Sequence, residues 1–359
     1  MRGTEPKQSS MFAMVSLDAM VPEHHPIRAI KPLVADALRE LSPLFDTMYA
    51  TNGRPSIPPE WLLKSMLLIA LFSVRGEKNF CEQLGYNMLF RWFLDMDINA
   101  ATFDPTTFSH NRERLLEHDV APKFFRQIVD QARAKGLLSA DHFSVDGTLI
   151  EAWASVKSFR PKDDDGDDNN GFGDFKGTKR SNDTHESKTD PESKLIRKGR
   201  GKEAKLAFMG HAYMENRNGL LVDFMTTEAN GHAERDAAVE MTRRERKRRN
   251  AAKPRRITVA ADAAYAAREH LRKMRDLRAT PHVAQGQNKP LDARTTRHAG
   301  YAISVRARRL IEKVFGWLKT VGGLRRSRFR GREPTGLYAM FAATAYNLLR
   351  MSRLTASAM

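Results

Sequence analysis

His142–Ile150, HFSVDGTLI, is where the chain changes character. Phe143 and Val145 alternate with Ser144 and Asp146, the period-two pattern of a half-buried strand. Asp146 sits mid-strand on the face it shares with Ser144 and Thr148. Downstream, Lys205–Tyr213 and Leu220–Thr226 flank Asn218-Gly219, a turn pair that predicts a two-stranded hairpin. Ala233–Arg249 reads as a basic helix, Arg256–Asp262 (RITVAAD) as a short buried strand, Ala266–Leu277 as a helix and Pro281–Ala284 as a brief strand. Ser304–Thr320 (SVRARRLIEKVFGWLKT) reads as one helix, and Pro334-Thr335-Gly336 precedes a last apolar helix, Leu337–Leu349. Strand, hairpin, helix, strand, helix, strand, helix predicts an α/β domain built on a mixed sheet.

Upstream, residues 1–138 read as mostly helical. Pro58-Pro59 opens Glu60–Val74, Gly76 breaks it, and Asn79–Leu84 starts another helix. A hydrophobic run at Met88–Leu94 and a turn at Phe103-Asp104-Pro105 follow. Thr106–Leu115 is a short helix with Arg112 and Arg114 predicted exposed, and His118–Lys135 is amphipathic and stopped by Gly136. His24 and His25 fall in a turn after Pro22. Short helices with tight turns fit a helix-turn-helix-like DNA-binding module, and a helical packing or dimerisation domain fits the same pattern. The second domain, 139–355, is interrupted at 158–204. Between Arg160 and Lys194 the only large apolar residues are Phe172 and Phe175, too little to offset ordering entropy, so this stretch reads as a mobile polar insertion. Its run Asp163–Asp168 reads as solvated loop.

The chain has 359 residues, with 60 Lys+Arg against 43 Asp+Glu, a net charge of +17. That balance predicts a polyanionic partner. The longest apolar stretch, Trp61–Val74, is interrupted by Lys64 and Ser65 and is too short to span a bilayer. Met1–Ser16 has no signal-peptide core, and nucleic acid is the favoured partner over a membrane. One cysteine, Cys81, excludes an intramolecular disulfide framework and a thiolate zinc cluster. It reads as a packed thiol in a cytoplasmic protein.

Three carboxylates stand at privileged positions. Asp146 is mid-strand, and Asp262 ends the strand Ile257–Ala261, where ligands of α/β sheets gather. Glu312 shares an arc of roughly 40° with Arg308 and Lys319 on a helical wheel. Ten Lys or Arg lie between Arg306 and Arg332, Arg325 and Arg326 among them, with Glu312 the only acid. On that helix alone, an i,i+4 salt bridge is the better account. If the first and fourth strands are neighbours, Asp146 and Asp262 lie side by side, and a divalent cation relieves their repulsion. An all-oxygen set suits Mg²⁺ or Mn²⁺, and two ions would serve in-line displacement at phosphorus. Arg308 and Lys319 would then touch phosphates. Arg243–Arg256 carries nine basic residues against Glu245 and reads as a DNA backbone track. Trp317 points away from the three acids and reads as packing, and His232 as helping to start the next helix.

At this point the chain resembles the DDE transposases of bacterial insertion sequences. The resemblance runs from about Leu17 to Leu349. It is carried by LDAMVPEHHPIR (17–28), PSIPPEWLLKSMLL (55–68), YNMLFRWF (86–93), TTFSHNRERLL (106–116) and HFSVDGTLIEAWASVKSFRPKD (142–163), then by GKEAKLAFMGHAYMENRNGL (201–220), ITVAADAAY (257–265) and IEKVFGWLKTVGGLRRSRFRG (311–331). It implies a ribonuclease-H-like mixed sheet with flanking helices behind an all-α N-terminal domain, and a triad of Asp146, Asp262 and Glu312. The family's Arg-x₃-Glu-x₆-Lys signature falls on Arg308, Glu312 and Lys319. Two positions depart from the pattern: Val305 stands where the signature has tyrosine, and Ala263-Ala264 where many relatives have Lys-Gly. The implied activity is binding of terminal inverted repeats, metal-dependent cleavage of the ends and strand transfer into target DNA. Its partners would be double-stranded DNA and at least a second copy of the chain in the synaptic complex. A DNA-binding relative that does not cut, and a ribonuclease-H-like nuclease, are the alternatives.

Overall fold

The computed structural model describes residues 16–50, 52–53, 56–162, 181–197, 199, 201, 203–248, 255–285 and 291–356. Seven helices come first: α1 (Leu17–Met20), α2 (Pro26–Met48), α3 (Pro59–Leu71), α4 (Glu77–Leu84), α5 (Met88–Leu94), α6 (Thr106–Glu117) and α7 (Val120–Ala134). Strands β1 (His142–Glu151), β2 (Phe159–Pro161), β3 (His185–Ser187), β4 (Lys194–Arg197), β5 (Ala204–Glu215) and β6 (Leu221–Glu228) follow. The rest alternates: α8 (Ala233–Arg248), β7 (Ile257–Ala261), α9 (Arg268–Asp276), β8 (Ala279–Val283), α10 (Ala293–Thr296), α11 (Ala299–Ala307), α12 (Leu310–Thr320) and α13 (Arg332–Ala356).

The main sheet runs β4-β5-β1-β7-β8, with β6 also paired to β5. β1, β5 and β6 are antiparallel, with Phe143 opposite Glu215 and Phe208 opposite Glu228. β7 joins β1 in parallel, and β8 joins β7 in parallel. This is the ribonuclease-H-like arrangement: three antiparallel strands, then parallel strands reached through helices on the far side of β1. The hairpin turn is set by Gly219 at φ 73° and by the buried Glu215 carboxylate. Its oxygens accept from the backbone N–H groups of Ser139, Arg217, Asn218 and Leu220. Pro281 is tolerated in β8 because that strand pairs only with β7, so one edge needs no ladder donor.

The described parts of 158–204 are more ordered than their composition predicts. β2 and β3 form a two-stranded ribbon, and β4 extends the main sheet. A small apolar cluster of Ala152, Ala154, Phe159, Leu206 and Phe208 anchors them. Asn182 adds a strand-like clasp, its side chain accepting from Leu195 N–H and donating to Leu195 C=O. Side-chain and backbone hydrogen bonds thus replace the missing apolar surface. Asp163–Asp168, Phe172 and Phe175 lie outside the described residues. The expected Ser304–Thr320 helix is also corrected: it breaks at Arg308-Arg309 between α11 and α12. The chain tightens there to i,i+3 bonds, Arg309 N–H to Arg306 and Ile311 N–H to Arg308. No proline or glycine marks the break, so local sequence could not reveal it.

Helix α13 packs on α2, α3 and α7 as well as on β6 and α12. One hydrophobic cluster accordingly runs from Ile27 and Leu67 through Phe124 and Phe341 to Val145 and Val314. Asn347 fastens α13 to the sheet, its side chain accepting from Leu221 N–H (2.9 Å) and donating to Leu221 C=O (2.8 Å). Cys81 is buried, and burial pushes its thiol up to about 12. Trp317 packs edge-on against Tyr346 at 5.6 Å, as a packing residue should. No described helix is long and apolar enough to cross a membrane. Asn347→Ala strips both partners from a buried backbone unit and should cost about 2–4 kcal/mol in urea denaturation.

Candidate active site

Asp146 lies just beyond the point where β1 and β7 part company. The last paired residues are Ser144 and Ala260, and continuing that register by two residues sets Asp146 level with Asp262. Asp262 follows the end of β7 and caps a short 3₁₀ turn, its Oδ1 accepting from Ala264 N–H at 2.8 Å. Asp146 Oδ1 accepts from Gly147 N–H at 2.9 Å. Arg308, at the break between α11 and α12, reaches Asp146 Oδ2 at 3.3 Å and Glu312 Oε1 at 3.8 Å. The break therefore turns one guanidinium inward to serve two carboxylates. Glu312 remains 64% exposed, whereas Asp146 and Arg308 are each 17% exposed.

A fourth carboxylate escaped the sequence reading. Glu234, in the first turn of α8, leans over Gly147, and a Cβ at that glycine would stand 2.6 Å from Glu234 Oε1. A side chain at position 147 would displace the Glu234 carboxylate from this place. The sequence signal was the pair Asp146-Gly147 itself, a glycine inside a strand pattern. Behind these acids Tyr265 is fully buried, and its hydroxyl has no hydrogen-bond partner among the described residues. Burial first, then the charge of Glu234, Asp146 and Asp262, holds that phenol well above its usual range.

The electrostatics mark a site with surplus negative charge. Burial, then the nearby Asp262 and Glu312, pushes Asp146 up to about 6 against the pull of Gly147 N–H and Arg308. Burial, then Asp262 and Asp146, raises Glu234. Among the described residues no three His, Cys, Asp or Glu side chains are gathered closely enough to chelate one ion. The donor set is nevertheless all-oxygen and under-neutralised, which matches a hard divalent cation.

The expected DNA contacts divide. Arg325 is exposed and Lys319 half-buried. Arg326 donates to the carbonyls of Ala152 (3.2 Å) and Trp153 (2.7 Å). Arg112 and Arg114 do not stand out into solvent as predicted. Arg112 pairs with Glu77 at 2.6 Å and covers Phe329, while Arg114 donates to Asn111 and covers Tyr49. The basic run on α8 is likewise engaged within the protein. Arg243 and Arg244 pair with Glu240, Arg248 lies beside Asp223 and Glu245, and Arg246 donates to Leu277 C=O. Residues 249–254 of that run lie outside the described residues. His25 N-caps α2 through Nδ1, and the His232 carbonyl accepts from the N–H groups of Arg235 and Asp236 to start α8, while Asn230 Oδ1 accepts from those of His232 and Ala233.

A ribonuclease-H-like sheet that sets an acid midway along β1 level with one just past the end of β7 is the frame of a nucleic-acid phosphoryl-transfer enzyme. Residues 139–348 match the family described as Transposase DDE domain, and residues 15–114 match Transposase domain (DUF772). The first match covers more than half of the chain, and the protein belongs to the DDE transposase family. That family implies DNA transposition dependent on divalent metal. Among solved structures the chain is similar to piggyBac transposase in a synaptic complex with hairpin DNA, at 9% identity over 93% of this chain and 76% of that one, TM-score 0.41. It is also similar to the Mos1 pre-cleavage transpososome, at 13% identity over 94% and 98%, TM-score 0.22. A comparison with curated protein sequences finds no match.

The raised Asp146 carboxyl gives a stability prediction. Its contribution is fully present below the unfolded value near 3.8 and is lost as pH rises through about 6. Asp146→Asn should therefore stabilise the metal-free protein at pH 7–8, by up to about 3 kcal/mol. The gain should fade by pH 4 in thermal melts run with chelator.

Proposed function

We propose that this transposase binds the terminal inverted repeats of its own element, cuts the ends by phosphodiester hydrolysis and joins the 3′ hydroxyls to target DNA. The observation that carries the reading is the convergence on Arg308 and Asp146. Asp262 and Glu312, more than a hundred and more than a hundred and sixty positions away in sequence, both act on the charge of Asp146, and one guanidinium serves two of the acids.

Asp146, Asp262 and Glu312 would hold Mg²⁺ or Mn²⁺, with Glu234 at the flank. Two such ions, when bound, would activate the attacking oxygen and stabilise the leaving 3′ oxygen. Arg308 orients the Asp146 carboxylate and restrains its repulsion with Glu312. Lys319 and Arg325, farther along and beyond α12, extend positive charge away from the acids in the direction a DNA backbone would take. The helical region, residues 1–138, would hold the ends in register, and pairing of two ends requires a homodimer or higher oligomer. Arg112 and Arg114 are left to internal packing in this reading.

Purified protein with Mg²⁺ and labelled element ends should release 3′-hydroxyl nicks. Asp262→Asn should lower that rate by more than about 100-fold, as loss of a preorganised charge at a reacting phosphate does, while end binding in a gel-shift assay is retained. Cutting at the normal rate by that variant would overturn the assignment.

A further inference from the structure

The strand that carries Asp146 continues to a surface unlike the rest of the molecule. Trp153, two residues past β1, is one of few exposed large apolar side chains, with 46% of its surface accessible. It borders an open hollow of about 580 Å³ lined by Trp153, Ser155, Thr189, Arg326, Ser327 and Arg328. None of these lining side chains is acidic. The Arg330 guanidinium lies 5.0 Å from the centre of the indole ring, and Arg325 is exposed on the same loop.

The tryptophan is held rather than loose. Glu151 N–H donates to Arg325 C=O at 3.1 Å and Ser327 N–H donates to Glu151 C=O at 2.7 Å, so the loop after α12 is zipped to the end of β1. Arg326 then clamps the Trp153 carbonyl. The buried Ser327 hydroxyl bonds Thr335 at 2.6 Å and so ties the loop to α13. A fixed, solvent-facing indole beside arginines meets the two needs of a single-stranded nucleic-acid site, a stacking face and positive charge for the phosphates.

We propose that Trp153 and Arg330 form a stacking platform for an unpaired base of bound DNA, with Arg325 toward the adjoining phosphates. The inference rests on the chain being a DNA-handling transposase, as read above. At the rise of an extended strand, Trp153 stands roughly 20 Å from Asp146. The platform thus takes a base several nucleotides from the cut phosphate, where a nicked or opened end offers single strand. Duplex DNA buries its bases in the stack and cannot use an indole face without being opened.

The test uses the full chain in Ca²⁺ and two probes, a blunt duplex and the same duplex with a single-stranded dT tail holding one 2-aminopurine. As the 2-aminopurine is moved along the tail, its fluorescence should fall at one position on binding. Trp153→Ala should remove that quench and weaken tailed-duplex binding about 10-fold, leave blunt-duplex binding unchanged, and be rescued by Trp153→Phe. Arg330→Ala should weaken the tailed duplex in the same direction. Equal binding of tailed and blunt duplexes by the wild type, or equal losses on both in Trp153→Ala, overturns the platform while end cutting stands. Failure of the wild type to bind either probe removes both.

Discussion

The parallel pairing of β1 with β7 is the constraint on which the site depends. It begins at His142 and Thr258 and stops at Ser144 and Ala260. Had it run two residues further, Asp146 and Asp262 would have been fixed as opposed ladder residues on one pleat. Because it stops, the two strands are free to part, Glu234 leans in over Gly147, and Asp146 is left between burial and neighbouring charge. The cost appears as a carboxyl pushed up to about 6. Arg308 offsets part of it, and a bound cation would offset the remainder.

The geometry of that gap is supported from the helical side. α13 touches α2, α3, α6 and α7 and the edge of the hairpin, and Asn347 hydrogen-bonds both backbone groups of Leu221. α12 lies between α13 and β1, so the position of Glu312 is inherited from this packing. The loop after α12 closes back onto Glu151. The acids and the exposed tryptophan are consequently braced together, the acids by the large apolar core and Trp153 by the hydrogen bonds of that loop.

Much of this was legible in order along the chain. The alternation at Phe143–Asp146, the Asn218-Gly219 turn and the short run before Asp262 are local patterns with local physical causes, and each element appears within a few residues of its expected place. Asp146, Asp262 and Glu312 stood out because an acid within a strand, one at a strand end and one on a basic helix are each unusual. Glu234 was not, since an acid in the first turn of a helix is also simply favourable for the helix dipole. Its role follows from leaning over Gly147, a contact across 87 positions. The arginines are harder to read from sequence. Arg112, Arg244 and Arg248 look like a nucleic-acid face in sequence, yet Arg112 pairs with Glu77 of α4, Arg248 with Asp223 of β6, and Arg244 with Glu240 on its own helix.

The sequence by itself determined the principal strands and helices around the site, their order and the charge of the molecule, because hydrophobic period, turn chemistry and composition act over a few residues. It also held the motifs that place the chain among DDE transposases. Tertiary structure alone decided where α11 gives way to α12, which carboxylates share Arg308, which arginines are spent on internal partners, and that Trp153 stays in solvent. Those outcomes depend on distances between side chains far apart in the chain, and such distances exist only once the sheet and α13 have packed.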